Sequence, residues 1–168
     1  LDDLAYKFPI PEGIYRNELI IRALMLNCMN RNYSDLWSDV WNNSFVQCEW
    51  AKKDMRLNNN KFIELTHRWV SKYVLTTDFE RRQALIEIDV LSSMALGMTL
   101  DELKAIYRIQ FPVLQSYEAE TFYDVNGRIV FTNNRRLNGV GLDKKEWDKY
   151  RELNEGTIIK KYMDDTMP

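Results

Sequence analysis

Histidine occurs once in this 168-residue chain, cysteine twice, proline four times and glycine six times. Each shortage closes off a kind of chemistry. A zinc site takes three or four ligands, and the lone His67 has only Glu64, three residues ahead, at a ligand spacing. Di-iron carboxylate bundles use a Glu-x-x-His motif twice, which one histidine cannot satisfy, so no metal site is expected. Cys28 and Cys48 form neither a CxxC pair nor a disulfide-rich pattern and read as buried helix thiols in a reducing compartment. Gly139-Val140-Gly141 lacks the third glycine of a dinucleotide fingerprint, follows no βαβ strand and is not followed by GK[ST]. Charge of one sign is missing as well: 23 basic and 25 acidic side chains leave a formal net charge of −2. That is not the overall signature of a nucleic-acid binder, although a local basic face stays open. The longest apolar run, residues 19–29, is broken by Arg22 and Asn27 and falls short of the ~20 residues that span a bilayer. With nothing resembling a signal peptide at the start, the expectation is a soluble, cytoplasmic protein with no membrane partner.

What is present is enough apolar residue, 45%, to form a core without disulfide or metal staples. The chain opens on Leu1 and closes on Asp164-Asp165-Thr166-Met167-Pro168 with no compact terminal element, and reads as a piece of a longer protein. Residues 1–12 read as an extended lead-in, with Pro11 just ahead of a helix. Residues 13 to about 30 form a helix apolar on most faces, as buried helices are. Ser34 suits the N-cap of a second, whose Trp37, Val40, Trp41, Ser44, Cys48 and Ala51 keep a 3.6 period as far as Lys52-Lys53. Phe62, Leu65, Trp69 and Tyr73 predict a third over 61–74. Thr77-Asp78 opens a fourth, with Gly97 as its C′ residue. Thr99-x-x-Glu102 makes a capping box for a fifth, residues 100 to about 109, which Pro112 terminates.

Asn126-Gly127 between apolar runs is a strong hairpin signal, because a two-residue type I′ turn needs φ > 0 at both positions. It pairs Phe122 with Phe131 and Asp124 with Ile129. Asp143 caps a short helix to about 153, and residues 157–162 suggest a last strand. The fold class is therefore mainly α with a small β-hairpin: about five helices packed as one α+β domain over 13–168, the hairpin at 122–131.

Glu87 and Asp89 could suggest paired carboxylates, but two positions apart on a helix they point away from each other. Each more simply pairs with an arginine such as Arg81, Arg82 or Arg108. No catalytic residue is assigned. The segment Asn133-Asn134-Arg135-Arg136 follows the hairpin and is rich in groups that bind phosphates and base edges. Lys144 and Lys145 come just behind it at a helix start, where basic residues oppose the dipole. These six residues form the candidate DNA contact.

Three stretches, 18–37 (ELIIRALMLNCMNRNYSDLW), 84–115 (ALIEIDVLSSMALGMTLDELKAIYRIQFPVLQ) and 121–142 (TFYDVNGRIVFTNNRRLNGVGL), together resemble the C-terminal region of large bacterial N6-adenine DNA methyltransferases of restriction-like and phage-defence systems. The resemblance runs from about Ile14 to Leu142 and rests on extended similarity. That family's S-adenosylmethionine loop and Asn/Asp-Pro-Pro-Tyr/Phe motif are missing, since proline stands only at 9, 11, 112 and 168. The resemblance thus implies a non-catalytic accessory or target-recognition region that holds no cofactor. The parent would use S-adenosylmethionine; the partners would be DNA and the parent's catalytic domain. A helical scaffold with no DNA contact is the alternative.

Overall fold

A computed structural model of the chain describes residues 13–130 and Lys145. It is mainly helical with one two-stranded antiparallel hairpin. The α-helices are α1 (Gly13–Asn27), α2 (Ser34–Val40), α3 (Asp78–Ala95), α4 (Leu100–Gln110) and α5 (Pro112–Glu120); the strands are β1 (Phe122–Tyr123) and β2 (Ile129–Val130). Single 3-10 turns lie at Arg31–Tyr33, Asn43–Gln47 and Ser71–Tyr73. No helix among the described residues is long and apolar enough to cross a membrane.

α1 packs against α3, burying Ile21, Leu24, Met25 and Leu26 against Phe79 and Ala84. Trp37 of α2 is wholly buried and stacks on Tyr73 with centroids 5.7 Å apart. Trp50 meets Phe62 edge-on at 5.1 Å. Among these rings lies a buried cation. Arg22 donates to Glu87 (2.7 Å) and to the Glu49 carbonyl (2.7 Å), and pairs with Glu18. Its guanidinium lies 5.2 Å from the Phe62 ring centre. The other oxygen of Glu87 accepts from the Ala51 N–H (3.0 Å) and the Gln83 amide (2.8 Å). The arginine that pairs with Glu87 is therefore Arg22. Of the three expected, Arg81 donates to the Leu26 and Leu75 carbonyls and Arg82 pairs with Glu118. A buried charge left without its partner costs about 3–5 kcal/mol, so this network locks α1, α3 and the segment 49–51 together.

Three helix expectations need correcting. The second helix stops at Val40 instead of running to Lys53: Trp41 turns extended (φ −54, ψ 135), and the Asn42 side chain accepts from the Ser44 N–H, starting a separate 3-10 turn. Such side-chain-to-backbone bonds compete with the helix ladder. Ser34 is the first helical residue, not the cap, and Asn30 caps the turn before it. Residues 61–74 form no α-helix. Phe62, Leu65 and Tyr73 reach the core as expected, but their segment is a series of single turns tied down by side chains. Lys61 is buried with its ammonium on the Lys72 (3.1 Å) and Val74 (3.0 Å) carbonyls, and Leu75 N–H bonds to the Met25 carbonyl at 3.0 Å. Pro112 does end α4, since the residue before a proline is driven out of the helical region and Phe111 has φ −127. It also opens α5 as its first residue, where its missing N–H costs nothing.

Other signals are obeyed. Thr77 caps α3, Thr99 and Glu102 form the full capping box of α4, and Gly97 takes φ +73 after α3. The box draws the Glu102 carboxyl below its ordinary range through the Thr99 N–H. Cys28 and Cys48 are buried and free, each just past the end of a helical turn rather than within one. Burial pushes both thiols up, Cys48 to about 12 with Glu18 adding to the effect. The lead-in 1–12, the helix at 143–153 beyond Lys145 and the strand at 157–162 lie outside the described residues.

Candidate nucleic-acid interface

The hairpin is mounted on the start of α3. Gly127 carbonyl accepts the Phe79 N–H (2.9 Å), and the Ile129 N–H reaches Asp78 (3.1 Å). Tyr123 meets Phe79 edge-on at 5.3 Å, and burial raises its hydroxyl pKa. A Cβ on Gly127, at φ +77, would be strained and would stand a tight 3.1 Å from Phe79 Cβ and from Thr77 Oγ1, so glycine suits the close seat of the turn on the helix. Lys52 and Arg56 also lie over the Phe79 ring, at 5.2 and 3.8 Å. Arg56 is paired in turn with Asp54 (2.8 Å), whose carboxyl its hydrogen bonds lower to about 2.

The turn itself differs from the type I′ expectation. Gly127 alone has positive φ (+77). Asp124 is fully buried, and its Oδ1 accepts from the Asn126 (2.8 Å) and Arg128 (2.9 Å) N–H groups. That side-chain clasp favours ordinary right-handed geometry at Val125 and Asn126 and leaves Gly127 to make a three-residue loop with a bulge. Pairing is consequently Phe122↔Val130 and Tyr123↔Ile129, one residue away from the expected register. A one-residue slip reverses which side chains share a face. Asp124 Oδ2 finds no hydrogen-bond partner.

Val130 thus leaves a support fixed by backbone bonds and aromatic packing. Asn133, Asn134, Arg135, Arg136 and Lys144 lie outside the described residues; Lys145 is helical and exposed. Sequence reading passed over Arg128, an exposed cation at the turn with no ion pair among the described residues. It also passed over Arg31 and Arg68, which the fold brings to one cleft.

The remaining chemical candidates are accounted for by packing. Glu87 has both oxygens occupied, as above, while Asp89 accepts from the Tyr107 hydroxyl on another element. Burial and that bond raise the Tyr107 pKa to about 12. The two carboxylates serve separate contacts. His67 is exposed, and Glu64 pairs with Lys72 at 3.1 Å. Among the described residues no three His, Cys, Asp or Glu side chains gather as metal ligands would; Gly139 to Gly141 lie outside them.

No protein-family model, no curated protein and no solved structure matches the chain.

Proposed function

We propose that this chain is a non-catalytic accessory or target-recognition region of a cytoplasmic N6-adenine DNA methyltransferase. Its part is to hold DNA for a catalytic domain elsewhere in the parent, which supplies the S-adenosylmethionine site. The observation that carries the reading is the mounting of the hairpin on α3: it fixes where the chain sets off toward Asn133, Asn134, Arg135 and Arg136. Polar loops on rigid supports are where binding groups concentrate. The resemblance of residues 18–37, 84–115 and 121–142 to such methyltransferases supplies the biological setting. Replacing Arg135 and Arg136 together with alanine should weaken duplex DNA binding by the intact protein. It should also flatten the salt dependence by up to about 1.8 units of slope, about 0.9 for each phosphate no longer neutralised. An unchanged affinity and slope would remove the loop from the DNA contact. Calorimetry with S-adenosylmethionine should give no binding heat for this chain; stoichiometric micromolar binding would overturn the non-catalytic assignment.

A second reading, a helical scaffold for protein contact, is favoured by one observation. Val113, Leu114 and Tyr117 share one face of α5 and are each more than half exposed, and apolar groups gathered on a surface mark interaction sites. Duplex binding that is absent at low salt would leave this reading as the better one.

A further inference from the structure

The 3-10 turn at Arg31–Tyr33, the start of α2 and residues 68–71 border a wide, open cleft of ≈ 450 Å³. Arg31, Ser34, Ser38, Arg68, Trp69 and Ser71 line it. Two arginines, three serines, a tryptophan and Val70 border the space, and no acidic residue does; Asp35 and Asp39 of the same helix are outside the lining. Arg22, Arg56, Arg82, Lys61 and Lys72 all have carboxylate partners, whereas Arg31 and Arg68 have none among the described residues. Two unpaired cations sharing one concave wall raise each other's demand for an anion.

The wall is also held in place, although residues 66–69 have no helix ladder. Trp37 Nε1 donates to the Thr66 carbonyl (2.9 Å) and Trp69 Nε1 to the Cys28 carbonyl (2.8 Å). The Ser38 hydroxyl lies 3.1 Å from the His67 carbonyl, and Thr66 Oγ1 donates to the Arg68 carbonyl at 3.1 Å. With its N–H engaged and its ring packed in part against the core, the half-buried Trp69 offers the cleft the remaining part of its indole. Planar guanidinium forks match phosphate oxygens in pairs, and an aromatic ring beside a cationic groove is the arrangement that holds unpaired bases.

We infer that the Arg31–Arg68 cleft binds a phosphate of a single nucleic-acid strand, with Trp69 as the stacking surface for the adjoining base. The assignment rests on the nucleic-acid reading above for its ligand class, but not on the segment 133–136. An unpaired base is required because a base inside a duplex has no free face to lay on Trp69.

Fluorescence anisotropy of a labelled oligothymidine strand, titrated with the full chain over a range of salt, tests it. Arg31→Ala/Arg68→Ala should weaken binding about tenfold or more and lower the salt slope by about 1.4, roughly 0.7 per strand phosphate. Its thermal midpoint should stay put, because both side chains are exposed. An abasic strand of equal length should bind more weakly than oligothymidine, and inorganic phosphate should compete more strongly than chloride at equal ionic strength. Equal binding by chain and variant overturns the assignment, as does binding of a phosphorylated peptide in preference to the strand. Abasic and thymidine strands binding alike would remove Trp69 from the site and leave free phosphate as the ligand. If Arg135→Ala/Arg136→Ala abolishes strand binding while Arg31→Ala/Arg68→Ala does not, the cleft fails and the loop stands; the reverse result separates them the other way.

Discussion

α1 with α3 and α4 with α5 are both helical pairs written in similar residues, yet they are stabilised differently. The first pair buries Ile21, Met25 and Ala84 completely and encloses an arginine among rings and carboxylates. Neither α4 nor the described part of α5 buries a residue. Two polar contacts tie them to α3: the Tyr107 hydroxyl on Asp89, and Glu118 on Arg82. A Tyr107–Phe111 ring contact at 5.7 Å joins the end of α4 to the residue before α5. Local capping is enough to define where a helix begins and ends, but tertiary burial supplies most of its stability. The second pair keeps its apolar side chains on offer, which is why it carries the protein-contact reading.

The sharpest way to break this comparison is at the buried charge. Glu87→Ala leaves Arg22, beside Trp50 and Phe62, with Glu18 as its only carboxylate and should cost about 3 kcal/mol in urea unfolding, the low end for a broken buried pair; a loss near zero would mean the network is not closed to water. Next comes Asp54, whose carboxyl lies at about 2 instead of 3.8 through its hydrogen bonds with Arg56. A folded pKa below the unfolded one gives stability that is present above the unfolded pKa and lost as pH falls through the folded one. Asp54→Asn should therefore cost about 2 kcal/mol at neutral pH. The gap from wild type should close between pH 3.8 and about 2. A gap independent of pH would place its origin elsewhere. Removing the α4 cap with Thr99→Ala should cost about 1 kcal/mol, and should act on α4 without disturbing the core's near-ultraviolet circular dichroism. Smallest of all, Ile109→Ser should change stability by within about 0.5 kcal/mol, since Ile109 is 71% exposed; a large drop would show that something covers it.

How much could be read in advance follows the same division. Thr77, Gly97, Thr99 and Glu102 act within a turn or two of themselves, and their helix ends fall where the sequence puts them. The hairpin was legible for a similar reason, but its register was not. Asp124 decides it by clasping two N–H groups, and a two-residue reading of Asn126-Gly127 overlooks that side chain. Residues 61–74 keep a helical apolar spacing and still fold as turns, because the Trp37 indole takes the Thr66 carbonyl, the Trp69 indole reaches the Cys28 carbonyl and the Lys61 ammonium takes up the Lys72 and Val74 carbonyls. Long-range partners of this kind leave no local trace. The same holds for Arg22 with Glu87 and for the Arg31–Arg68 cleft, where the residues that meet are far apart in the chain. Of the six residues assigned to DNA contact, Lys145 alone lies among those described, as an exposed helical residue.

Native-state amide hydrogen exchange on the full chain tests the division of the molecule most directly. Amides of α1 and α3 should exchange only with global unfolding, and those of α4 and α5 by local opening at a distinctly lower free energy. Glu87→Ala should then speed exchange in α1 and α3 and scarcely change it in α4 and α5. Protection of α4 and α5 equal to that of α1, falling in step with it in the variant, would contradict the account.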